Sequence, residues 1–145
     1  MFFAIYFEMK VIKIEDRDLK KFCLIALKIW GNGVYDKRGY EIYALVERTG
    51  FPAVIFNCIR PFFIYYLEEK LGFDCREARL IKYFCVMPTR RRKYSFEKIF
   101  SPQVVLQICK IVLRFTGKRK EAKTLHSLGW NCVSTDRGWL FYLTA

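Results

Sequence analysis

The chain has 145 residues, of which 53% are hydrophobic and 18% aromatic, and its formal net charge is +12 at pH 7. This apolar content excludes a disordered polyelectrolyte, because such chains bury too little apolar surface to offset the entropy lost on ordering. The excess of positive charge favours an anionic partner: a phosphate backbone, an acidic membrane surface or an acidic protein.

The first third of the chain is predicted to begin with an extended segment followed by two helices. Residues 2–14 are rich in aromatic and β-branched residues, which favours the extended form. Asp16 is a candidate N-cap, and apolar residues then recur at helical spacing as far as Trp30. Residues 35–40 form a turn cluster, and residues 41–48 are interpreted as a short helix.

The middle of the chain is predicted to contain a helix over residues 62–71 and a strand over residues 80–87. Residues 104–115 are open to two interpretations. Ser101 and Pro102 look like a helix start, but the segment is β-branched and apolar nearly all round, so we favour a buried strand.

The last part of the chain is predicted to form a short helix and a closing hairpin. The helix covers residues 116–128. The hairpin joins strands at residues 131–135 and 139–144 through a turn with Asp136 near its centre and Gly138 at its end.

Segments that would direct the chain to a membrane are not expected. Residues 1–7 are apolar, but no basic residue precedes them and Glu8 ends the run, which argues against a signal peptide. No uncharged apolar run approaches the ~18 residues that span a bilayer. We therefore expect a cytoplasmic protein with no membrane partner.

Neither a metal site nor a catalytic histidine is indicated. None of the six cysteines lies in a C-x-x-C pair and the chain has one histidine, whereas structural zinc sites use closely spaced ligand pairs. His126 is followed by Ser127 on a predicted helix, where sequence neighbours point to different faces. We expect free thiols in a reducing compartment, no metal and no cofactor.

Two dense basic segments are candidate phosphate contacts, since the whole chain is basic and cations at the start of a helix oppose its dipole unless an anion lies nearby. The predicted RNA-binding residues are Arg90, Arg91, Arg92, Lys93, Lys118, Arg119 and Lys120.

Three stretches resemble parts of a known family. They are residues 31–35 with 41–48, residues 65–73, and the tail from His126 to Tyr142. In their order they resemble the archaeal tRNA-splicing endonuclease family over most of the chain. The resemblance implies an α+β fold: a small N-terminal α/β domain (residues 1–58), then a restriction-endonuclease-like mixed sheet with flanking helices (residues 59–145).

The chain departs from that family at its catalytic positions. Active members use a tyrosine, a histidine and a lysine for metal-independent RNA cleavage, with a base, an acid and a cation sharing the work. Here the histidine position falls near Ser101 and Pro102 and the lysine position at Trp130, while Tyr83 matches the tyrosine by proximity only. The resemblance therefore implies a structural subunit without catalytic residues.

Such a subunit assembles with a catalytic endonuclease subunit in a heterotetramer that holds intron-containing pre-tRNA. The last strand and an acidic loop form subunit contacts in that family, and a terminal apolar strand left as an open edge would be prone to aggregate. The matching residues are Asp136, Trp139, Leu140, Phe141, Tyr142 and Leu143.

Two other interpretations remain open. Residues 29–33 and the turn after them resemble the end of a LAGLIDADG motif, with Asn32 in place of its metal-binding acid, which implies a degenerate nucleic-acid-binding domain. A strand at residues 41–48 would favour this alternative over the endonuclease one. The other is a basic protein-interaction or inhibitor module.

Overall fold

A seven-stranded mixed sheet forms the centre of the computed structural model, which describes residues 9–31, 33 and 39–145. The strands are β1 (Lys10–Lys13), β2 (Tyr40–Val46), β3 (Pro52–Ile59), β4 (Arg79–Val86), β5 (Ile111–Thr116), β6 (Asn131–Thr135) and β7 (Gly138–Thr144). Their order is β1-β2-β3-β4-β5-β7-β6. All neighbours are antiparallel except β4 and β5, which are parallel.

Helices cover both faces of this sheet. They are α1 (Arg17–Trp30), α2 (Ile64–Leu71), α3 (Phe96–Ile99), α4 (Pro102–Val105) and α5 (Arg119–Ser127), with a 3₁₀ turn at Pro88–Arg90. Helix α1 begins at Asp16, whose Oδ2 accepts a hydrogen bond from the backbone N–H of Leu19 at 2.9 Å. None of the described helices is long and apolar enough to span a bilayer.

The two faces can be assigned from the alternation of side chains along β3. Ile55 packs in the cluster under α1 and Ile59 in the cluster under α2, so these helices share one face. Phe56 and Cys58 point the other way, into a cluster that includes residues of α3, α4 and α5. With all eight residues buried, β3 is the centre of the core.

Most of the predicted elements are confirmed, but two are wrong. Residues 41–48 were predicted as a helix, but residues 41–46 belong to strand β2, and Glu47 and Arg48 follow its end. Residues 104–115, predicted as one strand, cover the end of α4, a turn over residues 106–110 and most of strand β5, because Pro102 starts a short helix and the chain becomes extended only at Ile111.

Some predictions concern residues outside the ranges that the structure describes. Residues 2–8 of the predicted extended segment lie outside them, as do residues 34–38 of the turn cluster and Asn32 of the LAGLIDADG-like motif. The predicted domain boundary between residues 58 and 59 falls inside β3, and the sheet continues across it.

Candidate functional site

The parallel strands β4 and β5 separate along their length. They pair only through Arg79 with Val112 and Leu80 with Leu113, although β4 continues to Val86 and β5 to Thr116. A wedge therefore opens between the carboxyl ends of the two strands. In open sheets that contain parallel strands, such gaps are frequent ligand sites.

A β-bulge lies next to this wedge. On the side of β4 that faces β3, Cys58 pairs with Ile81 and Asn57 with Tyr83, which leaves Lys82 as an extra residue on β4. Bulges bend a strand and change the direction of its carbonyl groups, and they are over-represented beside functional sites.

The side chain of Arg114 occupies the base of the wedge. Its Nη1 donates to the carbonyl oxygens of Ile81 and Lys82 at 3.0 and 3.1 Å. Its Nε and Nη2 donate to Oε1 of Glu121 on α5, at 3.1 and 2.9 Å. The guanidinium also lies 5.4 Å from the centre of the Phe84 ring. Arg114 thus fixes the separation of the strands and closes the gap just beyond their last paired residues.

Two clefts open beside the wedge, the first on the face that carries α3 and α5 and the second between α3 and the end of α1. The first has a volume of about 570 Å³ and extends along the end of β5 to Lys118 and Lys120. The second, of about 400 Å³, extends along the end of β4 to Arg91. Both are lined by Phe84 and Phe96, so together they form one groove, which we call the wedge groove.

The wedge groove is lined by more cations than carboxylates: Arg91, Arg114, Lys118 and Lys120 against Glu97 and Glu121. Within the part of the chain that the structure describes, Arg91, Lys118 and Lys120 form no ion pair. Their charges are therefore available to an anionic ligand. Phe84 and Phe96, whose ring centres are 5.9 Å apart, provide an apolar surface between them.

The basic segment after β4 divides into paired and unpaired charges. Arg90 and Lys93 bind Glu47 at 2.9 and 3.2 Å, and the Tyr94 hydroxyl donates to the same carboxylate at 3.1 Å. Burial acts to raise the pKa of Glu47, but these hydrogen bonds outweigh it and lower the pKa below 4.5. Glu47 therefore holds the turn after β4 in place.

The remaining predicted RNA-binding residues lie on the surface. Arg92 is exposed in the turn after β4, and Arg119 is exposed in the first turn of α5. The structure thus places Arg91, Lys118 and Lys120 around one groove, while Arg90 and Lys93 face Glu47. Contact of these seven residues with RNA stays a prediction.

The predicted interface strand is not an edge. Strand β7 lies between β5 and β6 and pairs with both. Leu140, Phe141 and Leu143 are buried in the chain's own core, and Asp136 is exposed in the turn before β7. The open edge on which the interface prediction depended is therefore closed within the chain, and docking of these residues onto a partner stays a prediction.

The positions matched to the catalytic triad of the endonuclease family are scattered. Trp130 is buried, and its indole Nε1 donates to the carbonyl oxygen of Phe100 at 2.8 Å, which is a core contact. Ser101 is the residue before the first turn of α4, and Tyr83 directly follows the bulge residue of β4. His126, which was not matched to a catalytic position, is exposed on α5. Among the described residues, no group of three or more His, Cys, Asp or Glu side chains is placed to hold a metal ion.

Comparison with known proteins gives matches in structure only. No protein-family model matches the chain, and no curated protein matches it. Among solved structures it resembles an acetyltransferase of Bacillus subtilis in complex with CoA, with a TM-score of 0.55 and 10% identity over 94% of this chain and 99% of that one.

Two further solved structures resemble the chain over a similar length. A spermidine N-acetyltransferase of Vibrio cholerae has a TM-score of 0.53 and 7% identity, and each chain is covered over 94%. An aminoglycoside acetyltransferase in complex with coenzyme A has a TM-score of 0.51 and 12% identity, again with 94% of each chain covered.

These likenesses correct the family prediction. Four predictions were wrong: the restriction-endonuclease-like fold, the archaeal tRNA-splicing subunit, its catalytic partner subunit and the pre-tRNA ligand. The LAGLIDADG and inhibitor alternatives were wrong as well. The strand over residues 41–46 favoured the LAGLIDADG alternative, but it is the second strand of a chain that matches an acetyltransferase over 94% of its length. At 7–12% identity the likeness establishes the fold, and this chain has the GNAT-like mixed-sheet fold of these acetyltransferases.

Proposed function

We propose that the chain binds a coenzyme A thioester in the wedge groove and transfers its acyl group to an amine. The observation that carries this proposal is the separation of β4 and β5 in a sheet of this strand order. The three solved structures compared above are acetyltransferases, and two of them are complexes with coenzyme A.

The groove suits the extended arm of coenzyme A. That arm carries two amides, which can hydrogen-bond to the backbone of a strand that lacks a neighbour, as peptides do at open sheet edges. Because Arg114 already occupies the carbonyl oxygens of Ile81 and Lys82, the ligand pairs with β4 beyond the bulge, beside Phe84. The rings of Phe84 and Phe96 then cover its apolar carbons.

Side chains supply the charge for the phosphates. Residues 87–95 contain no glycine, the residue that lets a backbone approach a ligand most closely. Arg90 and Lys93 in this segment are already paired with Glu47. Arg91, Lys118 and Lys120 remain around the groove as cations with no ion-pair partner among the described residues. Charge-assisted hydrogen bonds to phosphate are among the stronger polar contacts in proteins.

The transfer itself balances without a further reactant. The nitrogen of a neutral amine attacks the thioester carbonyl carbon, a C–N bond forms, and the C–S bond breaks. One proton passes from the nitrogen to the departing sulfur through solvent, so that the products are an amide and free coenzyme A. Arg114 is engaged with both β4 and Glu121, so we assign it a positioning role and not contact with the acyl group.

The proposal is tested by incubating the purified chain with acetyl-CoA and a panel of amines. Release of the free thiol is followed with time, and the acetylated amine is identified by mass spectrometry. We expect thiol release that depends on the amine. No release with any amine, together with no heat of coenzyme A binding in calorimetry, would overturn the proposal.

A matched pair of variants tests the role of the cations. Lys120→Glu is expected to raise the KM for acetyl-CoA by about tenfold or more, since a lost hydrogen bond to a charged group costs about 1.5–3 kcal/mol. Arg119→Glu is the control, because Arg119 lies on the same helix but does not line the groove. Equal effects of the two changes would show that only overall charge matters.

A further inference from the structure

A third cleft lies on the opposite face of the sheet, the face that carries α1 and α2. It has a volume of about 600 Å³ and is lined by aromatic rings of the segment before and within α2, among them Phe62, Phe63 and Tyr66. We call it the aromatic cleft. Phe62 is 85% exposed and Tyr66 38% exposed, so large apolar surfaces face solvent here. Single exposed apolar residues are ordinary, but a concave cluster of them indicates a binding surface.

The aromatic cleft reaches the wedge on the face of the sheet that carries α1 and α2. Its lining includes Lys82, the bulge residue of β4, and Phe115, which also lines the wedge groove on the other face. The Phe63 and Phe115 ring centres are 5.8 Å apart, which connects α2 to the end of β5. A ligand in this cleft therefore approaches the wedge from the side opposite to the wedge groove.

Three charges line the aromatic cleft: Lys82, Asp136 and Arg137. None of them forms an ion pair within the described ranges of the chain. The turn that carries Asp136 and Arg137 is held by Thr135, whose Oγ1 donates to the carbonyl oxygen of Gly138 at 2.8 Å and accepts from the N–H of Arg137 at 3.3 Å. The two charges are thus presented by a hydrogen-bonded turn.

We propose that the aromatic cleft binds a free aromatic amino acid as the amine that accepts the acyl group. This inference rests on the proposed function and names its acceptor. The aromatic side chain packs on Phe62, Phe63 and Tyr66. The carboxylate pairs with Lys82 and Arg137, and the α-amine donates a hydrogen bond to Asp136.

The charge of the cleft favours the reactive form of this acceptor. Two cations and one carboxylate give the lining a formal charge of +1. An amino acid with a neutral amine carries a net charge of −1, whereas a simple amine in its protonated form is a cation and would be repelled. Lys82 and Arg137 favour the neutral form of a nearby amine and Asp136 favours its ammonium form, so the two cations outnumber the opposing carboxylate. The products are an N-acyl amino acid and free coenzyme A, and all atoms of the reactants are retained in them.

The test compares four small probes by calorimetry, without any thioester present. L-phenylalanine carries both charges and the ring, phenylalaninamide lacks the carboxylate, 3-phenylpropanoate lacks the amine, and L-alanine lacks the ring. We expect L-phenylalanine to bind at least tenfold more tightly than each of the other three. Equal binding of L-phenylalanine and L-alanine, or no binding of either, would overturn the inference.

Two variants in the exposed turn distinguish the contact with the ligand's amine from the contact with its carboxylate. Asp136→Asn is expected to weaken L-phenylalanine about tenfold and to leave 3-phenylpropanoate unchanged. Arg137→Gln is expected to weaken both of these ligands and to leave phenylalaninamide unchanged. If neither variant changes any affinity, the assignment of the charges is wrong.

A second readout separates this inference from the proposed function. If L-phenylalanine binds with the expected profile but no N-acetylphenylalanine forms with acetyl-CoA, the amino-acid site stands and the transfer reaction fails. If acetyl-CoA reacts with other amines but L-phenylalanine does not bind, the transfer reaction stands and the acceptor assignment fails. Coenzyme A binding by both variants should equal that of the unmodified chain, because Asp136 and Arg137 do not line the wedge groove.

Discussion

Glu121 on α5 accepts two hydrogen bonds from Arg114 on β5, and the same guanidinium binds two carbonyl oxygens of β4. The two side chains are only 13% and 12% exposed. A helix and two separated strands are therefore connected through one ion pair, at the place where the backbone ladder between the strands has ended.

Replacing Arg114 by methionine is expected to lower the free energy of unfolding by roughly 3–5 kcal/mol, because it leaves the Glu121 carboxylate largely buried and without its partner. Urea denaturation measures the change. Arg119→Met is the control, since Arg119 is exposed, and its effect should stay within about 0.5 kcal/mol. Adding Glu121→Gln to Arg114→Met should recover part of the loss, and no recovery would contradict the ion-pair explanation.

The Glu47 cluster predicts a specific dependence of stability on pH. Because its hydrogen bonds lower the pKa of Glu47 below 4.5 in the folded state, its contribution is complete above pH 4.5 and is lost as the pH falls through the folded value. Glu47→Gln should cost about 1–3 kcal/mol at pH 7, and this difference should shrink below pH 4.5.

The matched control for Glu47 is Glu15→Gln. The Glu15 side chain is 77% exposed and its carboxylate is 3.8 Å from Lys13 Nζ, so we expect a change within about 0.5 kcal/mol at every pH. A difference between the unmodified chain and Glu47→Gln that stayed constant down to pH 3 would be inconsistent with this explanation.

Gly138 is required where β7 begins beside the end of β5. Its φ is +125°, and a Cβ at this position would lie 2.9 Å from the carbonyl oxygen of Thr116. Gly50 also has a positive φ, of +89°, but an added Cβ there would meet nothing within 4 Å. Thermal unfolding should therefore show a larger loss for Gly138→Ala, about 2–3 kcal/mol, than for Gly50→Ala, about 1 kcal/mol. Equal losses would mean that the contact with Thr116 relaxes without cost.

The thiols should differ widely in reactivity. Burial raises the pKa of Cys23 to about 12 and that of Cys85 to about 11, whereas Cys132 is exposed on β6. We expect a thiol reagent at pH 8 to label Cys132 in the folded chain and to reach Cys23 and Cys85 only after unfolding. Mass spectrometry of labelled peptides checks this, and rapid labelling of Cys23 in the folded chain would contradict the packing of α1.

Local signals in the sequence predicted the elements that have clear ends or one covered face. The N-cap at Asp16 located α1, and the turn at Asp136 and Gly138 located the closing hairpin. Strand β2 was missed because it is covered on both faces: Ile42 packs under α1, while Tyr43 packs in the cluster on the other face. Such a strand has a continuous apolar run, which has no period of two to distinguish it from a short helix.

The basic segments predicted as phosphate contacts supplied Arg91, Lys118 and Lys120 of the candidate site, but the wedge itself had no local signal. Arg114 meets Ile81, which is 33 residues away in the sequence, and the wedge exists only because two strands pair in parallel at their first residues. The family prediction failed for a related reason. It depended on short apolar and glycine patterns that predict an order of helices and strands, and an order of elements does not determine which strands become neighbours.

The most direct test of the coenzyme A site is a titration of the isotopically labelled chain with coenzyme A, followed by NMR. We expect the backbone amide shifts to change most along the end of β4 beyond Lys82, at Arg91 and Phe96, and from Phe115 to Lys118. Saturable changes confined to this groove would support the proposal. No saturable change, or changes centred on the aromatic cleft instead, would contradict it.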